Sequence, residues 1–235
     1  MDASPSLDGS LDGQGESLAG RVTGLEPQAR DPERVNLFLE GRFAFGLSAA
    51  VAAEAGLRVG VVLTGEAVAD LLRQEASEQA LQQALLLLSY RPRSEQEIRR
   101  ALQQKGHAPE TAEGVVARLR DLHYLDDEAF ALSWVENRQR FRPRGARLLR
   151  AELRQKGVAP ETTDQAIADA GGDERALALA AAEKRAAGLE TADYAEFGRK
   201  VGGFLSRRGF APDVVWEVVR QLWTARSGES APPPD

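Results

Sequence analysis

The sequence predicts an all-α fold of three tandem three-helix repeats, helix-turn-helix-like and elongated, with a small N-terminal segment containing a β-hairpin. Three observations predict it. Leu102-Gln103-Gln104-Lys105-Gly106-His107-Ala108-Pro109-Glu110 recurs as Leu153-Arg154-Gln155-Lys156-Gly157-Val158-Ala159-Pro160-Glu161 and again as Leu205-Ser206-Arg207-Arg208-Gly209-Phe210-Ala211-Pro212-Asp213, at spacings of 51 and 52 residues. From Ser77 onward the apolar residues follow a helical period. Only near the N-terminus, from Val35 to Leu47, do they alternate as in a strand.

The elements follow in order. Residues 1–20 are acidic and rich in Ser and Gly, so a disordered leader is expected there, with neither the basic start nor the apolar stretch of a secretory signal. Arg21–Leu25 can form a short strand. Val35, Leu37 and Leu39 alternate, Phe43, Phe45 and Leu47 alternate, and Glu40-Gly41 between them is a two-residue turn, which makes a hairpin. Asp31-Pro32-Glu33 reads as loop. Ser48 can cap a helix ending near Gly56, and Thr64 one running through Ala67 to Gln74. This N-terminal part covers 21–76.

Three repeats are expected over 77–122, 123–171 and 172–225. Their helices are Ser77–Tyr90, Ser94–Lys105 and Pro109–Leu122, then Asp126–Phe141, Pro143–Lys156 and Pro160–Ala170, then Asp173–Ala187, Asp193–Arg208 and Pro212–Thr224. Ser94 and Glu97 form a capping box. In the recurring pattern, glycine supplies the left-handed residue that ends a helix and the next residue packs back on the leucine. Proline then starts the following helix, where its missing N–H costs nothing. A disordered tail is expected over 226–235.

Charge is uneven along the chain. The net charge is −6, yet residues 91–156 hold 15 Lys and Arg against 10 Asp and Glu, while 1–90 hold 6 against 13 and 157–235 hold 9 against 13. There is no cysteine, hence no disulfide and no thiolate metal site, which suits a cytoplasmic protein. No apolar run approaches the roughly 20 residues of a membrane helix, so no membrane association is expected.

Candidate chemistry is sparse. His107 aligns with Val158 and Phe210 and reads as packing, and His123 lies at a helix end; no second histidine at helical spacing makes a metal site. Asp126, Asp127 and Glu128 open a helix, where acids stabilise the dipole, and are preferred in that role over paired catalytic carboxylates. No phosphate loop or nucleophile motif is present, so no enzyme and no cofactor are expected. Phe130, Trp134 and Phe141 fall within about 40° on a helical wheel and read as core, with base stacking the lesser alternative. The arginines are different. Arg147, Arg150 and Arg154 form a stripe beside the apolar stripe Ala146, Leu149 and Leu153, with Glu152 the one acid of that helix, and Arg138, Arg140, Arg142, Arg144 and Lys156 join the same neighbourhood. These eight residues are the expected binding surface, suited to phosphate or carboxylate alike.

At these residues the sequence resembles the RecX family of RecA regulators. The likeness lies in Val35–Leu47 followed by Ser48, in Tyr124-Leu125-Asp126-Asp127 with Phe130-Ala131 and Trp134-Val135, and in Arg144-Gly145 leading to Glu152-Leu153 and Lys156-Gly157-Val158. It covers roughly residues 20 to 225. The resemblance implies tandem three-helix units that bind RecA–DNA filaments and inhibit RecA ATPase, strand exchange and coprotease activities. It implies that Asp127, Phe130 and Trp134 are scaffold, and that Arg138 with the patch from Arg142 to Lys156 makes contacts. The partners expected are the RecA filament and, more weakly or within the filament, single- or double-stranded DNA, with the protein a monomer. The alternatives are a stand-alone helical DNA-binding protein or transcription regulator, and an enzyme of unknown type.

Overall fold

The computed structural model describes residues 18–190 and 193–228. The expected leader lies outside the described residues as far as residue 17, and at its end Gly20 already opens a strand. Of the expected disordered tail, Arg226 and Ser227 are instead helical, and 229–235 lie outside the described residues. Contacts divide the chain into two compact units, one running up to Ser89 with Leu102–Ala117, the other comprising Tyr90–Ala101 and everything from Arg118.

The first unit opens with the strands β1 (Gly20–Gln28), β2 (Asp31–Leu39) and β3 (Arg42–Ser48), the helix α1 (Ala49–Glu54) and the strand β4 (Val62–Leu63). They form one antiparallel sheet in the order β3-β2-β1-β4. The expected hairpin is β2–β3, and Glu40 (φ 50°) and Gly41 (φ 76°) are both left-handed, as a tight two-residue turn requires. Three things differ from expectation. The short strand at Arg21–Leu25 is nine residues long, because Ala29-Arg30 turn it into a second hairpin with β2. Asp31-Pro32-Glu33 is not loop but the bulged start of β2, where the register jumps from Gln28↔Asp31 to Pro27↔Val35; a bulge is where a strand tolerates a proline. Phe43 is 58% exposed, because an irregularity between Leu37 and Phe38 pairs it with Phe38 and turns it off the Leu47 face. Val22, Leu37, Leu39, Leu47, Leu63, Val68 and Leu71 form the core beneath.

The helices expected over Ala67–Gln74 and Ser77–Tyr90 are one helix, α2 (Gly65–Tyr90), since neither glycine nor proline separates them. Its Glu75, 4% exposed, ties helix to sheet. That carboxylate accepts the Ser48 N–H at 2.7 Å and Gln79 Nε2 at 2.7 Å, and pairs with Arg34 at 2.8 Å. Ser48 in turn caps α1 by accepting the Val51 N–H at 3.1 Å.

From α2 onward three triplets follow. The first adds α3 (Glu95–Gln104) and α4 (Pro109–Asp121); the second is α5 (Asp127–Phe141), α6 (Ala146–Gln155) and α7 (Pro160–Asp169); the third is α8 (Glu174–Ala187), α9 (Tyr194–Arg207) and α10 (Pro212–Ser227). All three recurring joints have the expected geometry. Gly106, Gly157 and Gly209 lie at φ 90°, 82° and 85°. The next residue's N–H returns to the leucine carbonyl, His107 to Leu102 at 3.2 Å, Val158 to Leu153 at 3.0 Å and Phe210 to Leu205 at 3.4 Å. The second triplet buries Phe130, Ala131, Val135, Leu149, Leu153, Val158 and Ala166, and the third Ala178, Ala182, Phe197, Val201, Leu205, Phe210 and Trp223 among others.

Within the second unit, the start of a middle helix docks on the joint that ends the next middle helix, and does so twice. Ser94 caps α3, accepting the Glu97 N–H at 3.2 Å, and its hydroxyl donates to the Lys156 carbonyl at 2.6 Å, while Arg100 Nη1 reaches the Gln155 carbonyl at 3.1 Å. Gly145 caps α6, and its N–H donates to the Arg208 carbonyl at 2.9 Å. Around it Arg147 Nη2 donates to the Ser206 carbonyl at 2.6 Å and Arg208 Nη1 to the Pro143 carbonyl at 3.1 Å. This is why α6 begins at Ala146 rather than at Pro143. Pro143 and Arg144 lie outside the helix, in the segment that leads up to it.

Glu97 seals the first docking. Its carboxylate takes Arg91 at 3.0 and 3.1 Å and Lys156 at 2.9 Å. Burial alone would raise this carboxyl, but the hydrogen bonds and charges of Arg91 and Lys156 outweigh it and hold its pKa down to about 2, against an ordinary 4.5. The folded value lies below the unfolded one, so the stabilisation is fully present above about pH 4.5 and fades as the pH falls towards 2. Urea unfolding followed at steps between those limits is expected to show a steeper loss of stability for the wild type than for Glu97→Gln; parallel curves would remove the carboxylate from the account.

Candidate functional site

The eight basic residues expected at the surface all belong to α5, α6 and the segments beside them, and the structure sorts them into three groups. The sorting agent is Glu152, the acid that stands alone in α6. Its Oε2 accepts Trp134 Nε1 at 2.8 Å and Arg138 Nε at 3.0 Å, and its Oε1 pairs with Arg144. Arg138 also lies over the Trp134 ring, 4.1 Å from its centroid. Lys156 Nζ sits 4.2 Å from the same centroid while it pairs with Glu97. Arg138, Arg144 and Lys156 are therefore half-buried and engaged, with side-chain exposures of 20%, 24% and 17%.

Two further arginines are exposed but tethered. Arg147 holds the Ser206 carbonyl, and Arg150 Nε pairs with Asp164 at 2.7 Å across to α7. With both side chains of that ion pair more than half exposed, it contributes little to stability. The remaining three point to solvent. Arg140 lies 5.1 Å from the centroid of Phe141, while Arg142 and Arg154 have no side-chain partner among the described residues.

The aromatics divide likewise. Phe130 is buried and Trp134 half-buried, their ring centroids 6.0 Å apart, so both are scaffold. Phe141 is not core: it is 64% exposed, because α5 ends there and the chain leaves as Arg142, whose N–H bonds the Arg138 carbonyl. The acids are helix caps. Asp126 Oδ1 accepts the Glu128 and Ala129 N–H groups, both at 2.9 Å, and Asp127 Oδ1 accepts the Glu95 N–H at 2.9 Å, capping α3 from a neighbouring element. Burial raises the Asp127 carboxyl, against the pull of that N–H. His107 is half-buried, with Nε2 3.2 Å from Gln83 Oε1.

Sequence reasoning passed over Glu152 as a hub, and over Arg208 as a neighbour of the patch. The solitary acid in an arginine-rich helix was a usable signal for the first. For the second there was none, since it lies 52 residues beyond Lys156. Burial lowers the Arg144 pKa, with the nearby charges of Arg138, Arg208 and Arg142 acting in the same direction, while Glu152 pairs with Arg138 and Arg144. Chemically the arrangement offers planar, multiply donating cations to an anion. Among the described residues no group of three or more His, Asp or Glu could hold a metal ion, and no helix is long and apolar enough to cross a membrane.

Four family descriptions match the chain: "Regulatory protein RecX N-terminal domain" over 20–64, and the first, second and third three-helix domains of RecX over 80–119, 126–167 and 173–219. The chain is similar to the regulatory protein RecX of Lactobacillus johnsonii, at 34% identity over 62% of this chain and 54% of the relative. It thus spans just over half the length of that protein. It is also similar to the regulatory protein RecX of Bacillus subtilis, at 28% identity over 86% of this chain and 76% of the relative. A crystal structure of regulatory protein RecX superposes with a TM-score of 0.69 at 26% identity, covering 87% of this chain and all of the other.

Proposed function

Because the chain belongs to the RecX family of regulatory proteins, we propose that it binds RecA filaments on DNA and inhibits ATP hydrolysis, strand exchange and coprotease activity there. The observation that carries this reading is the set of arginines that folding leaves over. Arg138, Arg144 and Lys156 are engaged by Glu152 and Glu97, whereas Arg140, Arg142 and Arg154 face solvent, and Arg147 and Arg150 share the α6 stripe with Arg154. Those five are the exposed part of the contact set, and Arg138, Arg144 and Lys156 are its engaged part. A basic face on an acidic chain meets an anionic surface without drawing the whole molecule to every polyanion. Bound across neighbouring RecA subunits, the protein restrains the filament changes that all three activities share. It performs no chemical step itself and acts as a monomer in the cytoplasm.

The test is to titrate the protein into RecA, single-stranded DNA and ATP while following ATP hydrolysis and co-sedimentation. Inhibition with a saturating bound fraction is expected. No binding and no inhibition would sink the proposal, and tight, sequence-specific binding to naked duplex without RecA would favour a stand-alone DNA-binding protein.

A further inference from the structure

The basic face carries one feature that its charge alone does not explain: an acid at its centre. A surface selected only for positive potential would be stronger without Glu152, which cancels one of the charges around it. Glu152 is also poorly placed as an ordinary stabiliser. Its side chain is 12% exposed, and the desolvation of a buried carboxylate offsets most of what its ion pairs return.

What Glu152 does contribute is geometry. Arg138 comes from the last turns of α5, Arg144 from the segment before α6, and both pair with the same carboxylate. On the Arg138 side the grip uses Nε, and the ring of Trp134, itself hydrogen-bonded to Glu152, supports the guanidinium from one side. The plane of that guanidinium is thereby fixed. The positive charges of Arg138, Arg208 and Arg142 all act against that of Arg144, and Glu152 is the acid that pairs with it. Arg208 is itself anchored, over the Phe204 ring at 4.6 Å and on the Pro143 carbonyl, which leaves Arg144 as the member whose place depends on Glu152.

We infer that Glu152 is a positioning residue for filament binding, holding Arg138 and Arg144 as a fixed pair of guanidinium forks so that their remaining N–H groups meet one anionic group of the filament together. This rests on the filament-binding reading above. Preorganised forks lose less conformational freedom on binding than free arginines do, and they present two donors each in a set direction.

The experiment sets charge against geometry, because the two predict opposite signs. Glu152→Gln keeps an oxygen for Trp134 Nε1 and makes the face more positive by one charge. If the face works by potential alone, filament binding tightens. If Glu152 positions the pair, binding by co-sedimentation weakens about tenfold in spite of the added charge. In a protein already carrying Arg138→Ala and Arg144→Ala, the same substitution is expected to change affinity by less than about twofold, since the pair it positions is gone. Arg144→Lys keeps the charge and can still reach the carboxylate but lacks the fork; it folds as the wild type does and is expected to bind about fivefold more weakly. Tighter or unchanged binding by Glu152→Gln, an undiminished loss in the doubly substituted protein, or full binding by Arg144→Lys each overturns the inference. Should Glu152→Gln fail to fold, the Arg144→Lys result decides. Failure of the wild type to bind filaments would overturn the filament-binding reading itself, a separate outcome.

Discussion

Gly145→Ala is expected to destabilise the protein by about 3–5 kcal/mol, combining the cost of an overfilled contact with that of hydrogen bonds lost around it. The backbone at Gly145, with φ −73° and ψ 160°, is open to any residue, so the whole effect comes from space. A methyl group there would lie 2.2 Å from the Gly209 carbonyl oxygen and 2.4 Å from the Phe210 nitrogen. Both are backbone atoms of a tight joint and cannot swing aside. The start of α6 must lift away, and the bonds from Gly145 to Arg208, Arg208 to Pro143 and Arg147 to Ser206 go with it. Because α8, α9 and α10 keep their own core, the third triplet is expected to remain folded on its own and the single urea transition to split in two. Gly106→Ala supplies the contrast. Its φ of 90° strains any side chain, but a methyl group there meets open space, so the cost stays near about 1–2 kcal/mol with one transition. Equal effects at the two glycines would show that α6 does not depend on this close approach.

The second large effect is on binding. Reversing Arg140, Arg142 and Arg154 to Glu together is expected to weaken filament association by about a hundredfold or more at moderate salt, and to lower the salt dependence of what remains. None of the three is needed for folding: all are exposed, and among the described residues only Arg140 has a side-chain partner, the exposed Phe141. Helix content and the unfolding midpoint should therefore match the wild type. That separates this variant from reversal of Arg138 or Arg144, which would set a second carboxylate against Glu152. Wild-type affinity in the triple variant would place the contact surface elsewhere on the molecule.

How far these features were legible in the sequence depends on whether their cause is local. The three joints were, because a left-handed glycine, a following residue that packs back and a proline are all set by neighbours within ten residues. The Glu40-Gly41 turn and the Ser48 and Ser94 caps were legible for the same reason. What escaped was decided at a distance. β4 is two residues long and exists only because β1 pairs with it. The continuity of α2 was hidden by Ser77, a cap by composition but a helix residue in fact. In the candidate site, the arginine stripe was visible, yet which arginines are spent on folding depends on Glu152, Glu97 and Asp164, up to 59 residues away in the chain. Phe141 fits the helical wheel of Phe130 and Trp134, but the wheel does not know that the helix ends under it.

The docking of one middle helix on the next gives the array a direction. The position that is Ser94 in the first triplet and Gly145 in the second falls on Phe197 in the third, inside α9 and fully buried, because that helix starts a turn earlier. The third triplet thus carries the socket and lacks the plug. In the language of polymers the C-terminal end is terminated and the N-terminal end is living: the stop at Gly106 has the same left-handed geometry, and a methyl group there would meet no atom of the described residues within 4 Å. A triplet transplanted from the middle of this chain should extend the series when spliced ahead of α3, and should hang loose when appended after α10.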